Sequence, residues 1–113
     1  MAMIQDSDDK DLYGGLIRLH ILHRASQGPI YGQSIMEDLA RRSHKVNPGT
    51  LYPILHGLEK KAYLSSSLER SGRTVRRMYR ATPQGSKALN GARQRIMELF
   101  GELFEIVDRR RQK

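Results

Sequence analysis

Residues 47–59, NPGTLYPILHGLE, decide the fold, because they describe a helix with a marked start and two different faces. Asn47 and Pro48 form a helix start signal, with a capping residue followed by proline at the first helical position. Apolar residues at helical spacing predict the buried face, namely Leu51, Ile54, Leu55 and Leu58. The opposite face is small or polar, so a helix from 48 to about 61 leaves one side free for a partner.

Two further helices are predicted upstream of this segment. Apolar residues three and four apart predict a helix from Leu12 to about Ser26, and Gly28-Pro29 ends it. A second helix is expected over about 32–42, with Ile35 and Leu39 facing inward. These two helices lie close enough in sequence to residues 47–59 to form one three-helix unit with that segment.

Downstream, the period of the pattern changes from helical to alternating. Alternation over 64–69 and over 75–81, with Ser71-Gly72 between them, predicts a β-hairpin. Thr82-Pro83 repeats the helix start signal, and a long helix is expected to about Arg110. Arg77 shares a face with Val75 and Tyr79, so it is expected on the protein side of the hairpin.

Three helices followed by a hairpin predict a winged helix-turn-helix, mainly α with a small β-hairpin (an α+β class), followed by a long C-terminal dimerisation helix. The expected organisation has three parts. Residues 1–11 form a flexible acidic N-terminus, 12–83 a winged-helix DNA-binding domain, and 84–113 a dimerisation helix with a basic tail.

The charge of the 113-residue chain is +8 and unevenly distributed. Residues 1–11 carry four aspartates, whereas residues 70–80 carry five arginines and no acid. Such a balance favours anionic partners such as nucleic acid, although a solvated basic surface is the alternative. The absence of cysteine, of a signal peptide and of an apolar run of about 18 residues favours a cytoplasmic protein without a membrane partner.

The candidate DNA-binding residues follow from helix-turn-helix geometry, in which the second helix of the motif enters the major groove. On and around the predicted helix they are Tyr31, Asn47, Gly49, Thr50, Tyr52, Pro53, His56 and Lys60. On the hairpin they are Arg73, Arg76 and Arg80, which suit phosphates or a narrow minor groove. For Asn47, a capping role is the favoured alternative.

The last helix carries apolar residues at alternating spacings of three and four, the pattern of a coiled-coil seam. Packing onto its own domain is one interpretation, and pairing with a second copy is the favoured one. The candidate dimer residues are Leu16, Leu89, Ala92, Ile96, Leu99, Phe100, Leu103, Ile106 and Val107.

Catalytic signatures are missing from the sequence, with no HExxH, GxSxG, P-loop or GxGxxG motif. His20 and His23 lie three residues apart, but no acid lies near them in sequence, so a metal site is not expected. The sequence therefore predicts neither an enzyme nor a cofactor.

Several blocks resemble the PadR family of bacterial transcription regulators. They are residues 47–59, Ile21-Leu22, the turn from Gly28 to Gly32, and residues 76–85, RRMYRATPQG. The similarity covers about residues 12–90. It implies a winged-helix homodimer that represses a promoter by binding double-stranded DNA at an inverted repeat, with Thr50 and Tyr52 on the bases and the hairpin arginines on phosphates. It also implies possible release by a small-molecule effector.

Three departures from the family pattern qualify these expectations. Ala62 stands where the family usually has glycine, so a left-handed backbone there costs about 1 kcal/mol. A single long C-terminal helix indicates the short type of the family. The absence of tryptophan argues against a stacking pocket for a flat aromatic effector. The alternative function is a protein-docking or non-specific nucleic-acid-binding winged helix, which would show no promoter specificity.

Overall fold

The computed structural model of the protein describes the backbone of residues 6–104 and the side chains of residues 11–104. The elements are α1 (Asp6–Gln27), α2 (Gly32–Arg41), α3 (Pro48–Lys60), β1 (Leu64–Ser71), β2 (Thr74–Ala81) and α4 (Pro83–Phe104). This order confirms the predicted α+β architecture of three helices, a hairpin and a long helix. Helix α1 begins at Asp6 rather than near Leu12, so part of the segment predicted as a flexible N-terminus has a helical backbone.

The hydrophobic core forms where all six elements meet. Leu51 and Leu55 of α3 are fully buried, as the helical spacing predicted. Ile21 of α1, Tyr79 of β2 and Leu89 of α4 are also at most 6% exposed and belong to the same cluster. Burying such side chains contributes about 1.5–3 kcal/mol each, which holds the helices and the hairpin in one unit.

Both ends of α3 are capped, and the cap at its start is the one that the sequence predicted. The Asn47 side chain accepts a hydrogen bond from the Thr50 backbone N–H at 3.0 Å, so its capping role is confirmed. At the other end, Ala62 has a φ of 66°. The N–H groups of Ala62 and Tyr63 donate to the carbonyls of Glu59 and Leu58, a Schellman motif with alanine in the glycine position. Position 62 therefore has the left-handed backbone that makes alanine costly there.

The hairpin is closed by the two residues Gly72 and Arg73, and Gly72 has a φ of 62°. A positive φ at the first of two turn residues is the conformation of a type II′ turn, in which glycine is preferred. At the edge of β2 that does not pair with β1, the Ile30 N–H donates to the Tyr79 carbonyl at 2.9 Å, and the Tyr79 N–H donates to the Ile30 carbonyl at 2.7 Å. This bridge fixes the hairpin to the turn between α1 and α2.

The register separates the hairpin side chains into two faces. The inner face, which reaches the core through Leu64 and Tyr79, comprises Leu64, Ser66, Leu68, Arg70, Val75, Arg77, Tyr79 and Ala81. The outer face comprises Ser65, Ser67, Glu69, Ser71, Thr74, Arg76, Met78 and Arg80. The predicted shared face of Val75, Arg77 and Tyr79 is confirmed.

Helix α4 starts directly against the end of α3. Gly85 is buried, and a methyl group at that position would overlap with the carbonyl group of Tyr63. The Thr82 hydroxyl accepts a hydrogen bond from the Gly85 N–H at 2.9 Å and donates one to the Ala62 carbonyl at 2.6 Å. These contacts fix the direction in which α4 leaves the domain.

Candidate nucleic-acid interface

The face of α3 opposite the core is exposed and carries the residues expected to read DNA. Thr50 is half-buried beside the cap, and Tyr52 is 37% exposed. Gly49, Pro53, His56 and Lys60 are exposed along the same helix. The structure therefore brings the α3 candidates to one solvent-facing surface, although Asn47 uses its side-chain oxygen for the cap.

Tyr52 is held by a close contact with the start of α2. A Cβ atom on Gly32 would overlap with the hydroxyl and the ring of Tyr52, and Gly32 itself is buried. Because Gly32 has no side chain, the Tyr52 ring can pack directly against the start of α2. The sequence predicted that a helix begins at about Gly32, but it did not reveal this role of Gly32.

Tyr31 contacts the hairpin instead of standing free. The Arg76 guanidinium carbon lies 4.3 Å from the centre of the Tyr31 ring, a cation–π arrangement. Tyr31 precedes α2, and Arg76 lies on β2 beside the Ile30–Tyr79 bridge. The stack therefore joins the helix-turn-helix to the hairpin and limits where the Arg76 charge can point.

An open cleft of about 500 Å³ lies between the start of α2, α3 and β2. Its walls include Tyr31, Tyr52, Val75, Arg76 and Arg77. Aromatic rings meet guanidinium groups here, which suit phosphate contacts, and the Glu37 carboxyl side chain also lines the cleft.

The hairpin arginines have different surroundings. Arg80 donates to the Glu69 carboxylate at 2.7 Å, and this bond, with one from Ser67, holds the pKa of Glu69 below its ordinary value. Arg77 donates to the Ser66 hydroxyl at 3.2 Å, which in turn donates to Glu59 at 2.7 Å. Arg73 is exposed at the turn. The engagement of Arg80 by Glu69, and of Arg77 by Ser66, was not anticipated from the sequence.

Asp38 is a buried acid that links α1 to α2. His20 Nε2 donates to its carboxylate at 2.6 Å, and Arg24, Arg41 and Arg42 lie 3.3–3.7 Å from its oxygens. The His20 hydrogen bond, with Arg24 and Arg42, holds the pKa of Asp38 below its ordinary value despite burial. The acid near His20 is thus contributed by another helix. Among the described side chains no group of three potential ligands is placed to hold a metal ion.

An apolar surface that the domain itself leaves uncovered runs along α1 and α4. The most exposed large side chains on it are Leu12 at 69%, Leu99 at 73% and Leu103 at 73%. Leu16, Phe100 and Phe104 are also exposed, and Ala92 and Ile96 are half-buried. Leu89 departs from the expected dimer set because its side chain is buried in the core of its own chain. Ile106, Val107 and the basic tail lie outside the described residues.

Comparison with known proteins agrees with this geometry. The family model of the transcriptional regulator PadR-like family matches residues 21–91, from α1 into α4. The chain belongs to the PadR-like family of transcriptional regulators. PadR-like regulators bind DNA. Within the described residues, no helix has the length and apolarity to cross a membrane.

Individual relatives support the same family membership. The transcriptional regulator Rv3488 of Mycobacterium tuberculosis is 42% identical over 88 residues, which are 78% of this chain and 82% of that protein. The structure of smu.1704 from Streptococcus mutans is 30% identical, covers 82% of this chain and 87% of its own, and has a TM-score of 0.71. A PadR family regulator from Eggerthella lenta shares the fold at 24% identity, with 90% coverage of both chains and a TM-score of 0.74.

Proposed function

We propose that this PadR-like regulator is a homodimeric, sequence-specific repressor that binds an inverted-repeat operator. The observation that carries the proposal is the coexistence of two surfaces on one small domain. One is the polar face of α3 beside the arginine-lined cleft. The other is the uncovered apolar surface of α1 and α4.

The apolar surface supports dimerisation because its exposure in water is unfavourable. Leu99, Leu103 and Phe104 are each more than half exposed, and they lie on consecutive turns of α4. A contiguous patch of this kind marks an interaction site. Pairing with a second copy through a two-fold axis would cover the same patch on both chains.

The reading surface supports sequence recognition. Thr50, Tyr52 and His56 offer hydroxyl and imidazole groups on the exposed side of α3, where a major-groove helix presents its base contacts. Arg76, stacked on Tyr31, lines the cleft, which supports a phosphate contact by its guanidinium group. A two-fold dimer of such domains matches an inverted repeat, with half-sites about one helical turn apart.

The connection between α3 and α4 supports control by an effector. Thr82 and Gly85 fix the start of α4 to the end of α3. A ligand that changed the angle between paired α4 helices would therefore change the separation of the two reading helices. Occupation of a promoter by the dimer would exclude polymerase, and such a ligand would relieve the exclusion.

The proposal is tested by binding the purified protein to DNA from upstream of its own gene and to random DNA, at two salt concentrations. We expect preference for the upstream fragment, an affinity that falls as salt rises, a footprint with two-fold symmetry, and the mass of a dimer by light scattering. Equal binding to both DNAs would remove sequence specificity, and a monomer that binds a half-site tightly would remove the dimer. No binding at either salt would favour a protein-docking role.

A further inference from the structure

A cluster of basic side chains surrounds the buried carboxylate of Asp38. Arg24 of α1 and both Arg41 and Arg42 of α2 approach this carboxylate at 3.3–3.7 Å. Two histidines of α1 and one arginine of α4 complete the group. The members of this basic cluster are His20, His23, Arg24, Arg41, Arg42 and Arg93.

Helix α4 joins the basic cluster through Arg93. Burial and then the charge of Arg93 are the largest causes that lower the pKa of His23, so the Arg93 guanidinium lies near that ring. The His23 ring is itself 6.4 Å from the ring of His20, which donates to Asp38. The cluster therefore draws on three helices, α1, α2 and α4.

The basic cluster holds more positive charge than its acid balances. It contains four guanidinium groups and one carboxylate. Within the part of the chain that the structure describes, Asp38 is the acid that forms ion pairs with these arginines, whereas Glu37 accepts a hydrogen bond from Gln33 at 3.1 Å. Like charges held close together repel one another, so an anion with two or more negative charges would be bound favourably.

The contacts with Asp38 leave guanidinium donors available. The short hydrogen bond to the carboxylate comes from His20 at 2.6 Å, and the arginines lie farther away. Each guanidinium has five N–H donors. The side chains of Arg41 and Arg42 are 67% and 55% exposed, so a solute can reach them from the solvent.

The basic cluster is separate from the cleft described above. That cleft is lined by residues at the start of α2, such as Gly32, whereas Arg41 and Arg42 lie at the end of the same helix. Since an α-helix rises 1.5 Å per residue, the two ends of α2 are about 14 Å apart. A ligand at the cluster would contact α1, α2 and α4 instead of α3 and the hairpin.

We propose that the basic cluster binds a small molecule that carries a phosphate group, with Arg41, Arg42 and Arg93 donating to the phosphate oxygens. The planar guanidinium fork matches the geometry of phosphate oxygens and binds them through paired hydrogen bonds. A doubly charged phosphate also offsets the excess of positive charge. This inference goes beyond the proposed function and does not depend on DNA binding.

The test measures binding of inorganic pyrophosphate by calorimetry at constant ionic strength and without DNA. Arg42→Gln and Arg93→Gln should each weaken binding about ten-fold or more, as expected for loss of a charge-assisted hydrogen bond. Arg18→Gln and Arg95→Gln remove the same charge from exposed positions of α1 and α4 and are the matched controls. Both controls should bind pyrophosphate like wild type. Backbone amide shifts in NMR spectra should change at residues 20–24, 38–42 and 93.

A second arm uses Asp38→Asn, which removes the carboxylate that competes for the arginines. Pyrophosphate should raise the thermal midpoint of Asp38→Asn more than that of wild type, whereas a cluster that only joins the helices predicts no such gain.

Three results would overturn the inference. Equal weakening in the cluster variants and in the controls would show an adventitious ion only, on a generally basic surface. Amide shifts confined to the hairpin would place the anion elsewhere. A salt slope for binding to a random duplex that falls by about one in Arg42→Gln would assign the cluster to the DNA backbone instead of a small molecule.

Discussion

The hydroxyl of Thr82 donates to the carbonyl oxygen of Ala62 at 2.6 Å, and this bond joins the first turn of α4 to the end of α3. The Thr82 backbone N–H also donates to the Tyr63 carbonyl at 3.0 Å. In a PadR-like dimer these bonds would lie on the path between the dimer helix and the reading helix. The separation of the two α3 helices in the dimer would then depend on hydrogen bonds between residues that contact neither the DNA nor the second copy of the chain.

Thr82→Val removes the hydroxyl while keeping the shape of the side chain. Two hydrogen bonds are lost, so we expect the free energy of unfolding to fall by about 1–2 kcal/mol. Affinity for the operator should fall more than affinity for random DNA, because only the former requires a fixed separation of the reading helices. Urea unfolding and binding to both DNAs measure the two effects. Thr82→Ser, which keeps both bonds, is the matched control and should resemble wild type.

Ala62→Gly should stabilise the protein. Alanine at a φ of 66° is strained, whereas glycine adopts this conformation freely. Part of the gain is offset by the greater freedom of glycine in the unfolded chain. We expect a net gain of about 0.5–1 kcal/mol, which thermal unfolding followed by circular dichroism would detect. Ala40→Gly, on the exposed face of α2, is the control and should destabilise by a similar amount.

Tyr52→Ala should weaken binding to the operator more than binding to random DNA, because Tyr52 lies on the exposed face of α3 that we propose contacts the bases. Gly32→Ala should have the same signature, since the new methyl group would displace the Tyr52 ring. Fluorescence anisotropy with both duplexes measures the ratio of the two affinities. Equal and small effects on both duplexes would show that α3 is not the reading helix.

Arg76→Ala should weaken binding to both DNAs and reduce the salt slope by about one. Tyr31→Leu keeps the charge but removes the aromatic ring under it. We expect Tyr31→Leu to weaken binding while the salt slope stays near that of wild type, because the guanidinium remains but is no longer held. A full loss of one slope unit in Tyr31→Leu would contradict this role for the stack.

Asp38 should make the stability of the protein fall in acid. Its folded-state pKa is depressed, so the stabilisation is present above the unfolded pKa and is lost as pH falls below about 4. Asp38→Asn leaves Arg24, Arg41 and Arg42 without their acid, and we expect a loss of about 2–3 kcal/mol near neutral pH. Urea unfolding from pH 6 to pH 3 should show a shallower dependence in Asp38→Asn than in wild type.

The sequence by itself determined the elements and their order, because these depend on local signals. Asn47-Pro48 and Thr82-Pro83 mark helix starts, the spacing of Leu51, Leu55 and Leu58 marks a buried face, and Ser71-Gly72 marks the turn. The sequence left open whether Ala62 needs a left-handed backbone, and the structure gives it a φ of 66°.

Only the tertiary structure decided which charged and aromatic groups are engaged. Glu69 meets Arg80 across the strands, Asp38 meets His20 across two helices, and Arg76 reaches Tyr31 from the hairpin. Helical and strand periods assign a residue to a face of its own element, but contacts between elements depend on how those elements pack. For the same reason, the regular spacing of apolar residues along α4 could not show that Leu89 is buried in the core while Leu99 and Leu103 remain exposed.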